Sequence, residues 1–204
     1  MTHLAIITGT TRGLGRALKS QFELAAWRVE ELNRPAFDLS AIDHERLAGA
    51  LRSFKSDDLG RVVLVNNAAT HLIAPAAAHS AEEIVREVTI NITSPLIAIS
   101  TFLRFFPGGE VANITSGAAT KAFPHWSLYS GAKAALESYL RVIEAEGVRV
   151  FNLNPGVIDT DMQSLIRRSE FPGVSDFIAM KDGGTLKSPD AVAKSLVWMI
   201  DRAC

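Results

Sequence analysis

Short apolar runs alternate along the chain with longer stretches in which apolar positions recur every three or four residues. The runs at 4–8, 28–32, 62–65, 110–115 and 148–152 read as strands; the periodic stretches at 13–25, 40–54, 81–105 and 127–146 read as helices, with a terminal helix at 191–204. Such alternation predicts an α/β fold, a doubly wound and mainly parallel sheet with helices on both faces. Open sheets of this kind bind ligands beyond the carboxyl ends of their strands. The loops at Gly9, Asn67, Ser116 and Pro155 are therefore expected to converge on one crevice.

Composition narrows the reading without changing it. A chain of 204 residues that is 48% hydrophobic suits one core, so 1–204 is read as a single domain. With 21 basic against 22 acidic residues and no basic run, nothing points to nucleic acid, and a small-molecule partner is expected. Cys204 is the only cysteine, which excludes an intrachain disulfide or a cysteine metal site and suits a reducing, cytoplasmic setting. The first strand begins by Leu4, leaving no room for a signal core, and no apolar run approaches a membrane span. His71 and His79 are isolated, read as solvated loop histidines, and no metal site is expected.

Candidate chemistry begins at the first strand. Thr8-Gly9-Thr10-Thr11-Arg12-Gly13-Leu14-Gly15 links that strand to a helical pattern, the context a phosphate cradle requires. Gly9 permits the sharp turn, Gly13 close approach of a pyrophosphate, and Gly15 tight packing of helix on strand. A glycine turn without a ligand would read the same way. Farther along, Tyr129 and Lys133 stand four apart and share a helix face, with Ser116 thirteen residues upstream at the end of a strand-like run. A cation beside a phenol favours the phenolate, so Lys133 is expected to lower the Tyr129 pKa and make it a proton donor and acceptor near neutral pH. Alone, the pair could equally be an ordinary aromatic residue and a solvated lysine.

Taken together, Thr8-Gly9-x-x-x-Gly13-x-Gly15, Asn66-Asn67-Ala68-Ala69, Asn91, Ser116, Tyr129-x-x-x-Lys133 and Pro155-Gly156 with Thr160 resemble the short-chain dehydrogenase/reductase family. These elements follow the family's order across residues 4 to 161. The stretch from Pro155 to Gln163 also resembles that of sepiapterin reductases and bacterial benzil reductases. The resemblance implies a Rossmann-type domain. It implies that Ser116 holds a carbonyl oxygen, that Tyr129 protonates it as hydride arrives from a nicotinamide, and that Lys133 holds the nicotinamide ribose. Asn91 steadies a water leading to Lys133. Gly9, Thr11, Arg12, Gly13, Leu14 and Gly15 would bind the dinucleotide phosphates, Asn67, Ala68 and Ala69 line it, and Pro155, Gly156, Val157, Ile158 and Thr160 hold the carboxamide end. As an alternative, Thr160 caps a helix.

Asn33-Arg34 ends the second strand where dinucleotide folds place an acid for a ribose hydroxyl or an arginine for a 2′-phosphate. With Arg12 nearby, NADP(H) is favoured over NAD(H), although Glu30 and Glu31 lie within a short register shift and Arg34 could be a solvated turn residue. Asp38 resembles an adenine-contacting position; alternatively Ser40 caps a helix with Asp43 in its first turn. Only three residues separate Arg34 from Asp38, too few for a parallel crossover, so a third strand near 36–39 must be short, displaced or not parallel. About six strands are expected. Residues 161–187 read as a substrate lid. Phe123, His125, Trp126, Met162 and Phe177 either line an apolar pocket or simply pack. The resemblance implies a homodimer or homotetramer and an NADP(H)-dependent reductase of a small ketone or diketone. A non-catalytic NADP(H)-binding sensor or scaffold is the alternative.

Overall fold

The computed structural model describes residues 1–203, so Cys204, the last residue of the expected terminal helix, lies outside it. Five strands form one parallel sheet in the order β2-β1-β3-β4-β5: β1 Thr2–Thr8, β2 Arg28–Leu32, β3 Leu59–Asn66, β4 Glu110–Ile114 and β5 Val150–Leu153. The central strands are continuous apolar runs because both faces are covered. Leu4 to Ile7 and Val63 to Val65 are all buried. One face packs on α1 (Gly13–Leu24) and α8 (Pro189–Asp201) through residues such as Leu18, Phe22, Val192 and Leu196. The other packs on α2 (His44–Ser53), α4 (Ser94–Phe105) and α5 (Ser127–Ala145) through Leu47, Leu51, Ile99, Phe102 and Leu140. Remaining helices are α3 (Ala81–Val88), α6 (Asp161–Arg168) and α7 (Val174–Asp182).

The sheet has five strands, not about six, and residues 36–39 are not a strand. Phe37 N–H closes a turn on Asn33 O at 2.8 Å, and Asp38 accepts from both Ser40 N and Ser40 Oγ at 2.8 and 2.7 Å. The chain therefore runs from β2 through a turn directly into α2 and on to β3. The cap of α2 is Asp43, which accepts from Arg46 N at 3.0 Å; Ser40, four residues before the helix begins at His44, instead donates to Asp38. Among the described residues β2 is an edge of the sheet. Its sequence Arg28-Val29-Glu30-Glu31-Leu32 is charged where the central strands are apolar.

Because β1 leads to β2 on one side while the chain returns to β3 on the other, the strand order reverses between β1 and β3. Their carboxyl ends frame the crevice where such sheets take ligands. The stretch 81–105 is one continuous helix, with α3 and α4 joined by a π-helical turn at Thr89–Thr93. It is long and apolar enough to cross a membrane by length and composition, yet Ile99 and Phe102 lie in the core against the sheet.

Candidate active site

The glycine loop sits at the strand reversal and is shaped by close contacts. Gly9 has φ +72°, and a methyl there would stand 2.8 Å from the Ala68 Cβ. A methyl at Gly15 would stand 2.0 Å from the Gly9 carbonyl oxygen and 2.5 Å from the Asn67 amide nitrogen. Asn67 fixes the loop from β3, its Nδ2 donating to Thr8 O at 2.9 Å and Gly9 O at 3.1 Å. Thr8 Oγ1 accepts from the N–H groups of Asn67 and Ala68, both at 3.0 Å. No side chain caps the first N–H groups of α1, which open on the crevice beside Thr11 and Leu14. Thr160 approaches from across the crevice: its Cγ2 would lie 3.6 Å from a Cβ at Gly13. Thr160 also caps α6, accepting weakly from Gln163 N at 3.4 Å, the second of the two readings of this residue.

At the rim, Asn33 accepts from Thr10 N at 2.9 Å and donates to Thr10 Oγ1 at 2.6 Å and Glu31 at 3.0 Å. Lys19 and Thr10 also bind the Glu31 carboxylate, which holds its pKa below the usual range. Arg34 is exposed at the start of the following turn. Arg12 pairs with Asp161 at 3.0 Å, in a contact exposed on both sides and worth at most about 1 kcal/mol. Asp38 is bound to Ser40 beyond this rim. Pro155 and Gly156 form the loop after β5, where Gly156 takes φ +74° and donates to Asn154 Oδ1 at 3.0 Å. Val157 and Ile158 continue it toward α6, and Val157 packs with Ala69 on the same aromatic cluster.

The carboxyl end of β4 carries Ser116, and α5 presents Tyr129 and Lys133 to it. Ser116 Oγ accepts from Ala118 N at 3.2 Å, fixing its rotamer, and its hydroxyl meets the Tyr129 phenol. Lys133 is buried at 4% exposure, donates to Ile114 O at 2.8 Å, and lies 5.6 Å from the centre of the Tyr129 ring. Burial lowers the Lys133 pKa to about 8, opposed by the charge of Glu137. Burial likewise raises the Tyr129 pKa above 10, with the Ser116 bond opposing it. The lowered phenol pKa expected from the pair is therefore not found; burial shifts Tyr129 the other way. Both groups share a dry site in which desolvation outweighs their proximity.

Asn91 lies in the π-helical turn, a feature frequent at functional sites. Its amide is committed to Thr70, accepting from Thr70 N at 2.9 Å and donating to Thr70 O at 3.1 Å, and it donates to Glu87 at 3.1 Å. It thus holds the loop after β3, whereas Lys133 finds its acceptor on β4. Across the sheet, Asn66 donates to Asn113 and Asn113 to Asn152, each at 2.8 Å, an amide ladder over β3, β4 and β5.

An aromatic wall closes the site. Trp126 stacks on Phe177 at 5.5 Å and meets Phe171 at 5.7 Å, so α6, α7 and the segment between them cover Tyr129. Phe123 and Met162 pack on the same cluster. His71, expected as a solvated loop residue, is instead buried at 6% exposure. It stacks on Tyr129 at 4.3 Å with 23° between the rings, and meets Trp126 edge-on at 4.2 Å. Neither of its ring nitrogens has a partner. His79 is half-buried and lies 3.4 Å from Ser127 Oγ.

The chain was compared with known proteins, and the model of the family described as short chain dehydrogenase matches residues 36–170. The chain belongs to that family. This short-chain dehydrogenase is 32% identical, over 98% of its length and 93% of the relative's, to a benzil reductase ((S)-benzoin forming) of Bacillus subtilis. It is 31% identical to the sepiapterin reductase of Bos taurus over 81% of this chain and 76% of that one. Among solved structures, the KRED1-Pglu enzyme superposes over the whole chain and 96% of its own with a TM-score of 0.86 at 22% identity, a likeness of fold. The dehydrogenase is therefore an oxidoreductase acting on carbonyl or hydroxyl groups of small molecules, with a nicotinamide dinucleotide as its cofactor. Its cradle fits one: Gly9 and Gly15 let the loop close on Ala68, Asn67 and the Gly9 carbonyl where no side chain could stand, Gly13 faces Thr160 with no side chain between them, and no side chain caps the start of α1.

Proposed function

We propose that the protein is an NADPH-dependent reductase of small ketones or diketones, with Ser116, Tyr129 and Lys133 as its reacting set and Asn91 as their support. The observation that carries this reading is the meeting of the Ser116 hydroxyl with the Tyr129 phenol, against buried Lys133 and beneath an aromatic wall. The glycine loop, Asn67 to Ala69 and the loop from Pro155 to Thr160 would hold the dinucleotide, which when bound would supply hydride for the carbonyl carbon. Ser116 donates a hydrogen bond to the substrate oxygen, where negative charge develops. Tyr129 gives that oxygen its phenolic proton, and the raised pKa keeps the proton on Tyr129 at neutral pH until it is needed. Lys133, once drawn from Ile114 O toward a ribose, would stabilise the resulting phenolate.

NADPH is preferred because Glu31 is engaged by Lys19, Thr10 and Asn33, while the Arg34 guanidinium is exposed at the rim. Arg12 can leave its weak, exposed pair with Asp161 to join it. Residues 161–187 act as the lid of a single domain. Exposed Ile84, Val85 and Val88 on α3 and Val142 on α5 support assembly into a homodimer or homotetramer, and the lone cysteine a cytoplasmic setting.

NADPH absorbance followed over a panel of diketones, pterins and quinones tests the reading. Turnover of at least one member is expected, and Tyr129→Phe should lower it by about 10²-fold or more while leaving dinucleotide affinity unchanged. Tight NADPH binding with no turnover across the panel would favour a sensor or scaffold.

A further inference from the structure

A cation buried without a counter-charge tends to lose its proton, so a lysine that must stay charged in a dry site needs an anion held near it. Lys133 is in that position: it is buried, and the acceptor of its ammonium, Ile114 O, carries no net charge. One turn farther along the same helix stands a carboxylate. Tyr129, Lys133 and Glu137 are spaced four apart on one face of α5, and each meets one of three consecutive residues at the end of β4. The Tyr129 phenol meets the Ser116 hydroxyl, Lys133 donates to Ile114 O at 2.8 Å, and Glu137 Oε1 accepts from Thr115 Oγ1 at 2.5 Å. That last distance is the length of a hydroxyl bond to a carboxylate. Thr115 is itself buried, and its N–H donates to Leu153 O of β5 at 3.0 Å. The Glu137 carboxylate is thus anchored to a residue that the sheet holds in place.

The other groups around Lys133 are neutral or already engaged. His71, from the loop after β3, is kept neutral by burial, and the Lys133 charge adds to that effect. Tyr129 keeps its phenolic proton at neutral pH, and Ile114, Thr115 and Ser116 of β4 and its end bear no charge. Glu87 of α3 is buried but bonded to Thr70 and Asn91, and Arg141, one turn beyond Glu137, is exposed to solvent. Burial drives the Lys133 pKa down to about 8, and the charge of Glu137 opposes it.

We propose that Glu137 is a positioning residue for the reaction: its carboxylate, anchored by Thr115, keeps Lys133 charged within the dry site and so available to stabilise the Tyr129 phenolate. The catalytic consequence rests on the reductase reading above; the effect on the charge of Lys133 does not. An ammonium is protonated below its pKa and neutral above it, so anything that lowers this pKa removes charge increasingly as pH rises. Loss of the Glu137 charge is therefore expected to be felt least in acid and most above neutrality.

The test separates charge from structure, because Glu137→Gln keeps the side-chain length and an acceptor oxygen for Thr115 and removes the charge alone. In unliganded protein labelled with ¹⁵N at the lysine side chains, the Lys133 signal is assigned by its loss in Lys133→Met. It should titrate about one pH unit lower in Glu137→Gln than in the wild type, with the urea midpoint little changed. Thr115→Val, which keeps the carboxylate and removes its anchor, should give a smaller shift in the same direction. With NADPH and 1-phenylpropane-1,2-dione, a one-unit shift from about 8 predicts a kcat lowered about 2-fold at pH 7 and about 5-fold at pH 8 in Glu137→Gln. KM for the dione should stay within about 2-fold, and Glu137→Asp, which keeps the charge, should recover most of the loss. An unmoved Lys133 titration in Glu137→Gln, or a kcat loss equal at the two pH values, would reduce Glu137 to a structural tie between α5 and β4 and overturn the proposal. Should Glu137→Gln fail to fold, an unmoved Lys133 titration in Thr115→Val would overturn it equally. Absence of turnover by the wild type on the dione and on the wider panel would instead strike the reductase reading, and the lysine titration would still decide the role of Glu137.

Discussion

At the scale of single residues, burial sets the chemistry. Tyr129, Lys133 and His71 lie within one dry cluster, and in each case desolvation is the largest influence, favouring the neutral form. Ser116, Tyr129 and Lys133 were readable in the sequence because their roles depend on spacing along one strand end and one helix. The direction of the Tyr129 shift was not, since spacing reports proximity but not exclusion of water. His71 was missed for a related reason: it is buried by Trp126 and Tyr129, which come from a segment distant in sequence, and no local pattern marks that contact. Its burial has a measurable cost. The folded-state pKa of about 4 lies below the ordinary 6.5, so between these values the unfolded chain takes up a proton that the folded protein excludes. Stability contributed by this site is therefore complete above about 6.5 and falls as pH drops toward 4. Urea unfolding should show about 2 kcal/mol of His71-dependent loss between pH 7 and pH 4.5, and His71→Gln should remove that component.

At the scale of elements, expected and observed helices agree where a continuous periodicity defines them and differ at their ends. The stretch 81–105 reads as one helix and is one, but periodicity did not reveal the π-helical turn that carries Asn91 toward Thr70. α2 starts later than expected, with Asp43 as its cap and Ser40 in a local turn with Asp38; side-chain bonds of this kind mark boundaries that propensity cannot. The glycine loop was legible, and its packing shows which glycine matters most. Gly15 has an ordinary helical backbone, yet a methyl there would fall 2.0 Å from Gly9 O. Gly15→Ala should force the loop from β1, lowering stability by about 1–3 kcal/mol and weakening dinucleotide affinity by at least tenfold. Thermal unfolding and fluorescence titration with NADPH would check this. Normal affinity in the variant would mean that the loop can shift without distorting the cradle.

At the scale of the whole molecule, the parallel doubly wound sheet was legible from alternation alone, and the five-strand count was not. Three residues between Arg34 and Asp38 already ruled out an ordinary crossover, but the absence of a strand there goes with the backbone turn of Phe37 on Asn33 and the bonds of Ser40 to Asp38. The far end is tied down differently. Arg61 of β3 grips Glu110 at 2.7 and 3.0 Å and the α8 carbonyls of Ile200 and Asp201 at 2.7 and 3.0 Å, so the last helix is fastened to the sheet. The loss of a neighbour leaves β2 with an unpaired outer side, and such a side is a template on which a second molecule could add its own strand. Arg28 and Glu30, paired at 2.6 Å on one face, act as gatekeepers against that growth. Replacing both with valine should leave the melting temperature within a few degrees, yet concentrated samples should become turbid and bind amyloid-reporting dyes where the parent stays clear. A short turn that simplifies the fold thus obliges the strand beside it to stay charged, and colloidal behaviour is where that obligation would surface.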